Sequence, residues 1–410
     1  MNIAFYFPYP TVGGVSILFL RCAKYLTERH NVILIDINDG YMHKNLPSGC
    51  SYVNYLELDK LPDKTTIIFQ SCPLWRIQDL EKAPESSKIV FWNLHPQNLD
   101  PRILKSNIGV RNTLGKMINL FSFFRLKKLR KTVSNLVENN AIYFMDGGNY
   151  QKTCDYLNVD IIEPNFLPIT NADINSCLIK HKGKSYVNNE FRCILVSRIE
   201  GFKTSIVEHV ITRLEHLNNQ GIILTIVGDG RDLPKIKECA SKLRNIKVHF
   251  VGYMHHDLLS DLICNQDLSF AMGTSALDSA SLGIPTICLD YSNNEIKELY
   301  KFRFIYECEN WNLGREINAM NFYEEECSLQ EMIDIIKLQP NIVSDKTKRY
   351  YISNHSEYVY TLLEKKLVKG VGVSIGFILK EKLHMVDIFT KLLVLIFGKQ
   401  KIDNSGFVNF

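Results

Sequence analysis

Short apolar runs alternate with helical stripes along most of this chain. Residues 3–7, 32–37, 67–70, 88–92 and 141–145 are runs of strand length, and 160–163 reads as one more. Val15, Leu18, Leu20, Ala23 and Leu26 lie between the first two at helical spacing. The pattern restarts at Arg192. There CILVSRIEGFK, LTIVGDGR, VHFVGYM and AMGTSALDSASLGIPTICLD each join an apolar run to a loop of Gly, Ser, Thr or charge. Between them, Ile206, Val207, Val210, Ile211, Leu214 and Leu217 form one helical stripe, and Leu233, Ile236, Ala240 and Leu243 another. Strand, helix, strand, helix predicts an α/β chain whose parallel sheets are covered on both faces. Ligands of such sheets bind beyond the carboxyl ends of the strands, where the loops just named fall.

Residues 164–190 carry Pro164, Pro168, Gly183 and many Asn and Lys residues, the composition of a linker. The predicted division is a first domain over 1–168, a linker over 169–190, a second domain over 191–345 and a C-terminal part over 346–410. A strand is expected over 302–306, and helices over 329–338 and 346–367. The length of 410 residues suits two ordinary domains. The net charge of +4 is too small to imply a general affinity for nucleic acid. Eleven Cys occur with no C-x-x-C pair and no His clustered around them, which argues against zinc and against a disulfide framework and fits a reducing cytoplasm. MNIAFYFPYP lacks a basic leader and reads as a first strand rather than a signal peptide. No run reaches the ~18 apolar residues of a membrane span.

The loop chemistry in the second half suits a nucleoside diphosphate. Arg198 ends a strand and Lys203 opens a helix, so two cations stand where a leaving diphosphate could be neutralised without a metal. Thr274 and Ser275 precede a helical run whose first N–H groups could hold phosphate. Asp278, one turn on, could hold ribose or sugar hydroxyls, although an acid there also serves a helix dipole. Gly13 and Gly14 form a turn that lets a backbone approach a ligand closely, or simply a tight turn. Gly228-Asp229-Gly230 matches a dinucleotide fingerprint only in part. His95 follows a strand and is locked by Pro96. It could take a proton from an acceptor hydroxyl, hydrogen-bond a donor sugar, or be structural. Asp146 is a weaker candidate, with helix capping the plainer role.

In order, these motifs resemble the C-terminal domain of glycosyltransferase group 1, the retaining family four with the GT-B fold, of the kind that builds O-antigen and other surface polysaccharides. Ser197, Arg198, Ile199 and Lys203 match one motif, the run from Ile226 to Gly230 a second, and Phe250, Gly252 and Met254 a third. Asp278, Ala280, Gly283 and Pro285 match the last. The family's pair of Glu residues departs here: Asp278 stands for the second, and the first falls on Phe270. The resemblance implies two Rossmann-like doubly wound domains facing across a cleft, with a C-terminal helical tail. It implies no cofactor and no metal, a nucleotide-diphosphate sugar as co-substrate, and retention at the anomeric carbon. Arg198 and Lys203 would stabilise the diphosphate. Gly252, Tyr253 and Met254 would present backbone to the base. Thr274, Ser275 and Asp278 would hold phosphate and sugar, Gly13 and Gly14 would face the donor, and His95 would sit beside the reacting centre.

The acceptor expected from the resemblance is a saccharide, lipid-linked in many such enzymes. Two stretches bear on that. KMINLFSFFRLKKLRK holds Lys116, Arg125, Lys127, Lys128, Arg130 and Lys131, with Leu120, Phe121, Phe123, Phe124 and Leu126 between them and no acid. Such a run suits an anionic membrane surface, or a helix packed on a core with its basic side in water. The fifteen residues between Leu383 and Phe397 are almost wholly apolar, too few to span a bilayer that needs ~20. They suit an in-plane membrane helix, or packing on protein. The expected location is the cytoplasm, on the inner face of the plasma membrane. Two other functions fit the same sequence: a nucleotide-sugar epimerase of related fold, and a non-catalytic partner subunit.

Overall fold

The computed structural model describes residues 1–95, 97–101, 122–172, 190–217, 221–254, 256–296, 300–317 and 328–385. The chain forms two compact units, Met1–Ile169 with Val359–Phe410, and Thr170–Tyr358. In the first unit, strands β1 (Asn2–Tyr6), β2 (Asn31–Asp36), β3 (Ser51–Asn54), β4 (Thr66–Gln70), β5 (Lys88–Asn93) and β6 (Ile142–Phe144) are all parallel. In the second, β7 (Phe191–Val196), β8 (Ile222–Val227), β9 (Ile246–Gly252), β10 (Leu268–Ala271) and β11 (Thr286–Cys288) are parallel, and β12 (Arg303–Phe304) is antiparallel. The C-terminal return adds β13 (Val373–Ser374) to β5, antiparallel and beside β6.

The spatial order is β3-β2-β1-β4-β5-β6 in one unit and β9-β8-β7-β10-β11-β12 in the other. Counted within each unit, both are the doubly wound order 3-2-1-4-5-6, in which the strand order reverses between the first and fourth strands. Central strands are buried along nearly their whole length, as NVILID and TIIFQ demand. β9 alternates in burial instead, because it is an edge strand with one covered face. The helix Thr204–Glu215 turns Ile206, Val207, Val210, Ile211 and Leu214 onto the second sheet.

Three sequence expectations change. Residues 160–163 are not a strand: Ile162 is 83% exposed, Glu163 has positive φ, and Pro164 follows, so pairing is confined to a Phe144–Phe166 bridge. The strand expected over 302–306 shortens to β12, and a 3-10 turn, Ile305–Glu307, replaces the rest. The helix expected over 346–367 is two helices, Pro340–Asn354 in the second unit and Tyr358–Val368, broken at His355. The latter docks on the helix Gly14–Leu26 and the turn after it: Glu364 accepts from Arg29 at 2.7 Å and pairs with His30 at 2.9 Å, and Tyr360 meets Tyr25 ring to ring at 5.2 Å between centroids.

Candidate functional site

The second unit's site is assembled from loops that follow β7, β8, β9 and β10. Because β7 pairs with both β8 and β10, the loop Ser197–Lys203 lies at the reversal point of the sheet. It is packed backbone to backbone on the loop after β8. The Ile199 N–H donates to Asp229 O at 3.0 Å, and the Asp232 N–H donates to Ile199 O at 3.0 Å. Gly228 and Gly230 make this contact possible. A Cβ on Gly228 would stand 1.9 Å from Ser197 O, and one on Gly230 2.4 Å from Ile199 O. Both also have positive φ, so the sequence GDG is dictated by close approach and backbone shape together.

That packing presents two cations. The Arg198 side chain is 74% exposed and pairs with Glu200 at 3.1 Å. Lys203 ends a 3-10 turn, Gly201–Lys203, at the start of the helix Thr204–Glu215. Burial pulls the Lys203 ammonium below the usual lysine range; Arg198 pulls the same way, and Glu200 opposes. An anion arriving between Arg198 and Lys203 would relieve that repulsion.

The turn after β10 is short. Gly273 donates its N–H to Leu313 O at 2.8 Å, and the helix Thr274–Ser281 begins at once, with Thr274 exposed and Ser275 half-buried. Its first N–H groups lack intrahelical acceptors and carry the positive end of the helix dipole. Asp278 already has a protein partner: its Oδ1 accepts from Asn171 Nδ2 at 2.6 Å. After β9, Gly252 accepts from the Gly228 N–H at 2.8 Å, Tyr253 is 80% exposed, and Met254 packs against Ile194, Val227, Leu259, Ile263 and Ile284.

Phe270 corrects the ungapped match to the acidic pair. It is a fully buried β10 residue with its ring on Phe302, and only Met272 and Gly273 separate β10 from the helix. An acid at 270 would lie in the core, so no site position corresponds to it.

The sequence did not disclose a buried ionic knot behind these loops. Asp290 is fully buried and takes both nitrogens of Arg303 at 2.5 and 2.7 Å, plus the Arg315 N–H at 2.9 Å. It ties the segment after β11 to residues 313–316. Phe202, beside Lys203, stacks edge-on against Tyr291 in that segment, and its carbonyl accepts from the Ser292 N–H at 3.1 Å. Among the described residues, no group of three or more His, Cys, Asp or Glu side chains could hold a metal ion.

No family model matches the chain, and no curated protein matches it. Solved structures do. A glycosyltransferase from Rickettsia africae superposes with a TM-score of 0.54 at 14% identity, over 90% of this chain and 98% of that one. The apo lipopolysaccharide outer core galactosyltransferase WaaB gives 0.53 at 11% identity, over 90% and 100%. The fold is GT-B. Anabaena HepE in complex with UDP and glucose gives 0.53 at 11% identity, over 90% of this chain and 99% of that one.

The first unit of this GT-B chain carries the remaining sequence candidates. Gly13 is the extended N-cap of the helix Gly14–Leu26, held by reciprocal bonds with Ser16 at 3.0 and 2.8 Å. A Cβ on Gly13 would come no nearer than 3.9 Å to any atom and one on Gly14 would meet nothing within 4 Å, so packing does not demand either glycine. His95 is exposed just beyond β5, and its Nδ1 accepts from the Gln97 N–H at 3.1 Å. A neutral ring so held carries its proton on Nε2 and offers a donor, not a base. Asp146 caps the helix Gly147–Leu157, accepting from the Asn149 N–H at 2.7 Å. Burial pushes its pKa up to about 6 against the Asn149 and Gly148 N–H groups.

The basic run is largely engaged within its own unit. In the helix Ser122–Glu138, Arg125 is buried, Lys128 reaches Met385 O, Arg130 reaches Leu157 O at 2.5 Å, and Lys131 pairs with Glu381 at 2.6 Å. Phe123, Phe124 and Lys127 are exposed. Lys116 and Pro96 lie outside the described residues, as do those of the apolar tail beyond Met385. Leu383, which opens the tail, is buried in the first unit's core. Among the described residues no helix is long and apolar enough to cross a membrane.

Proposed function

We propose that this chain is a glycosyltransferase that moves a sugar from a nucleoside-diphosphate sugar to a hydroxyl of a saccharide. The observation that carries it is the Arg198–Lys203 pair, held by glycine packing at the reversal point of a doubly wound sheet. In the reaction the bond from the anomeric carbon to the diphosphate oxygen breaks. Negative charge grows on the leaving diphosphate as that bond breaks; the acceptor oxygen bonds to the carbon and passes its proton to the departing diphosphate oxygen. Arg198 and Lys203 meet that charge, each worth ~2.7–4 kcal/mol in the transition state. The first N–H groups of the helix Thr274–Ser281 add to it, with Thr274 and Ser275 at hand. Asp278 holds a ribose or sugar hydroxyl, Gly252 to Met254 face the base, and Gly13 and Gly14 approach the donor. His95 donates Nε2–H to a sugar hydroxyl. The UDP-bound state of HepE supports a uridine donor as the first to try.

In the fuller version no metal takes part, configuration is retained, and the acceptor is a lipid-linked saccharide of surface polysaccharide synthesis at the inner face of the plasma membrane. A screen of nucleotide sugars for thermal stabilisation, followed by transfer assays, tests the proposal. Arg198→Ala and Lys203→Ala should each lower turnover by two to three orders of magnitude. Near-normal turnover in both would overturn the assignment. Activity should survive a chelator; a loss restored by magnesium would remove the metal-free step. Conversion of the nucleotide sugar without an acceptor would favour an epimerase. A non-catalytic subunit is the second function, supported by the departure from the family's acidic pair, and normal complementation by Arg198→Ala would favour it.

Membrane contact rests on Phe123, Phe124 and Lys127, because Lys128, Arg130 and Lys131 bond within the unit. Phe123→Ser with Phe124→Ser should lower flotation on anionic liposomes at low salt. Unchanged flotation would dismiss this surface.

A further inference from the structure

Asp232 stands at the N-cap position of the helix Leu233–Ser241, yet its side chain makes no capping bond to that helix. It reaches across to the neighbouring loop instead. Its Oδ2 accepts from the Gly201 N–H at 2.8 Å and from the Thr204 hydroxyl at 2.8 Å. Those two donors bracket Phe202 and Lys203. The Asp232 N–H meanwhile donates to Ile199 O at 3.0 Å, so the loop after β7 is gripped on both sides of Glu200. An N-cap bond to its own helix would contribute about 1 kcal/mol, and the residue forgoes it.

We infer that Asp232 is a positioning residue for Lys203, holding the turn that aims its ammonium at the diphosphate of the donor. This rests on the nucleotide-binding function proposed above. The charges that bear on Lys203 are those of Arg198 and Glu200. Asp232 therefore fixes the backbone and hydroxyl of the turn without discharging the ammonium, which an acid paired directly to Lys203 would do. The bonds themselves hold the Asp232 carboxyl below the usual carboxylate range, Thr204 first and Gly201 next, so the grip persists at neutral pH. The geometry has a cost that explains its use. A lysine on a four-carbon stem loses much rotamer freedom when it binds, and a fixed Cα shortens that search.

The test is a double-mutant cycle read as UDP affinity of the full chain by calorimetry. Asp232→Ala should weaken UDP five- to thirty-fold where Lys203 is present. In a Lys203→Ala background the same change should cost less than twofold. Uridine, which lacks phosphate, should bind Asp232→Ala and the unaltered chain alike. Asp232→Asn keeps an acceptor oxygen and should stay within threefold of the unaltered chain. If Asp232→Ala does not fold, Thr204→Val removes one of the two bonds and enters the same cycle, with Thr204→Ser as its control. Equal losses in both backgrounds, or no loss in either, would overturn the positioning role while leaving nucleotide binding intact. Failure of the unaltered chain to bind any nucleoside diphosphate would overturn the site and this role together.

Discussion

The two units use one device for different cargo. In each, an acid at or beyond the end of the second strand straps the loop that follows the first. In the first unit Asp36, fully buried at the end of β2, accepts from the N–H groups of Tyr9, Ile37, Met42 and His43 at 2.8–3.1 Å, here 3.1, 2.8, 3.0 and 3.1 Å. In the second, Asp232 holds Gly201 and Thr204. The strapped loop of the first unit, FPYPTVGG, carries no charge; that of the second, SRIEGFK, carries Arg198 and Lys203. Besides Asp36 and Asp146, the edge of the first sheet carries neutral polar groups. Ser71 Oγ, Asn93 Oδ1 and both ends of the Asn149 amide are buried and lack a partner among the described residues, which suits water or hydroxyl groups better than an anion. Equal topology therefore does not imply equal chemistry; the side chains that the straps hold decide it.

The sharpest way to break the contrast is to force charge into the wrong layer. Phe270→Glu would place a carboxylate in the second unit's core and also open a cavity. We expect a loss of at least about 4 kcal/mol of that unit's stability, read by urea unfolding, and no gain in activity. A folded, more active variant would mean that position 270 faces the site. Asp36→Ala probes the strap of the uncharged loop. Losing an acceptor shared by four N–H groups should cost about 2–3 kcal/mol in the first unit. UDP affinity of the folded protein should remain within twofold; a tenfold loss would mean that Asp36 shapes the nucleotide site.

The smallest expected effect is linked to pH. Asp146 has its folded pKa raised to about 6 from 3.8, so its charge opposes folding. The stability it lends is complete below pH ~4 and is lost as pH rises through 6. Asp146→Asn keeps a side-chain cap and should stabilise the first unit by about 1–3 kcal/mol at pH 8, with the gain vanishing toward pH 4. A gain independent of pH would dismiss burial as its cause.

Much of this was legible in the sequence because both sheets are buried on two faces. Runs such as TIIFQ and CILV have no amphipathic alternative, and the GDG loop has no room for side chains. The short edge strand SYVN was not legible, because it has little apolar signal and pairing alone defines it, and the strand at Arg303–Phe304 was anticipated with bounds that were too long. Asp160 to Glu163 misled because an exposed Ile162 looks the same in sequence as a buried one. Arg198 and Lys203 stood out by motif. Asp232, Asp290 and Arg303 did not, since their partners are 28 residues away in one case and 13 in the other. No local spacing announces such a contact.

The central claim is that the second unit recognises phosphate through Arg198 and Lys203. Calorimetric titration of the full chain with UDP and with uridine tests it most directly. The Arg198→Ala, Lys203→Ala double variant should lose UDP affinity by at least a hundredfold and leave uridine binding unchanged. Equal affinity of the variant and the unaltered chain for UDP would contradict it.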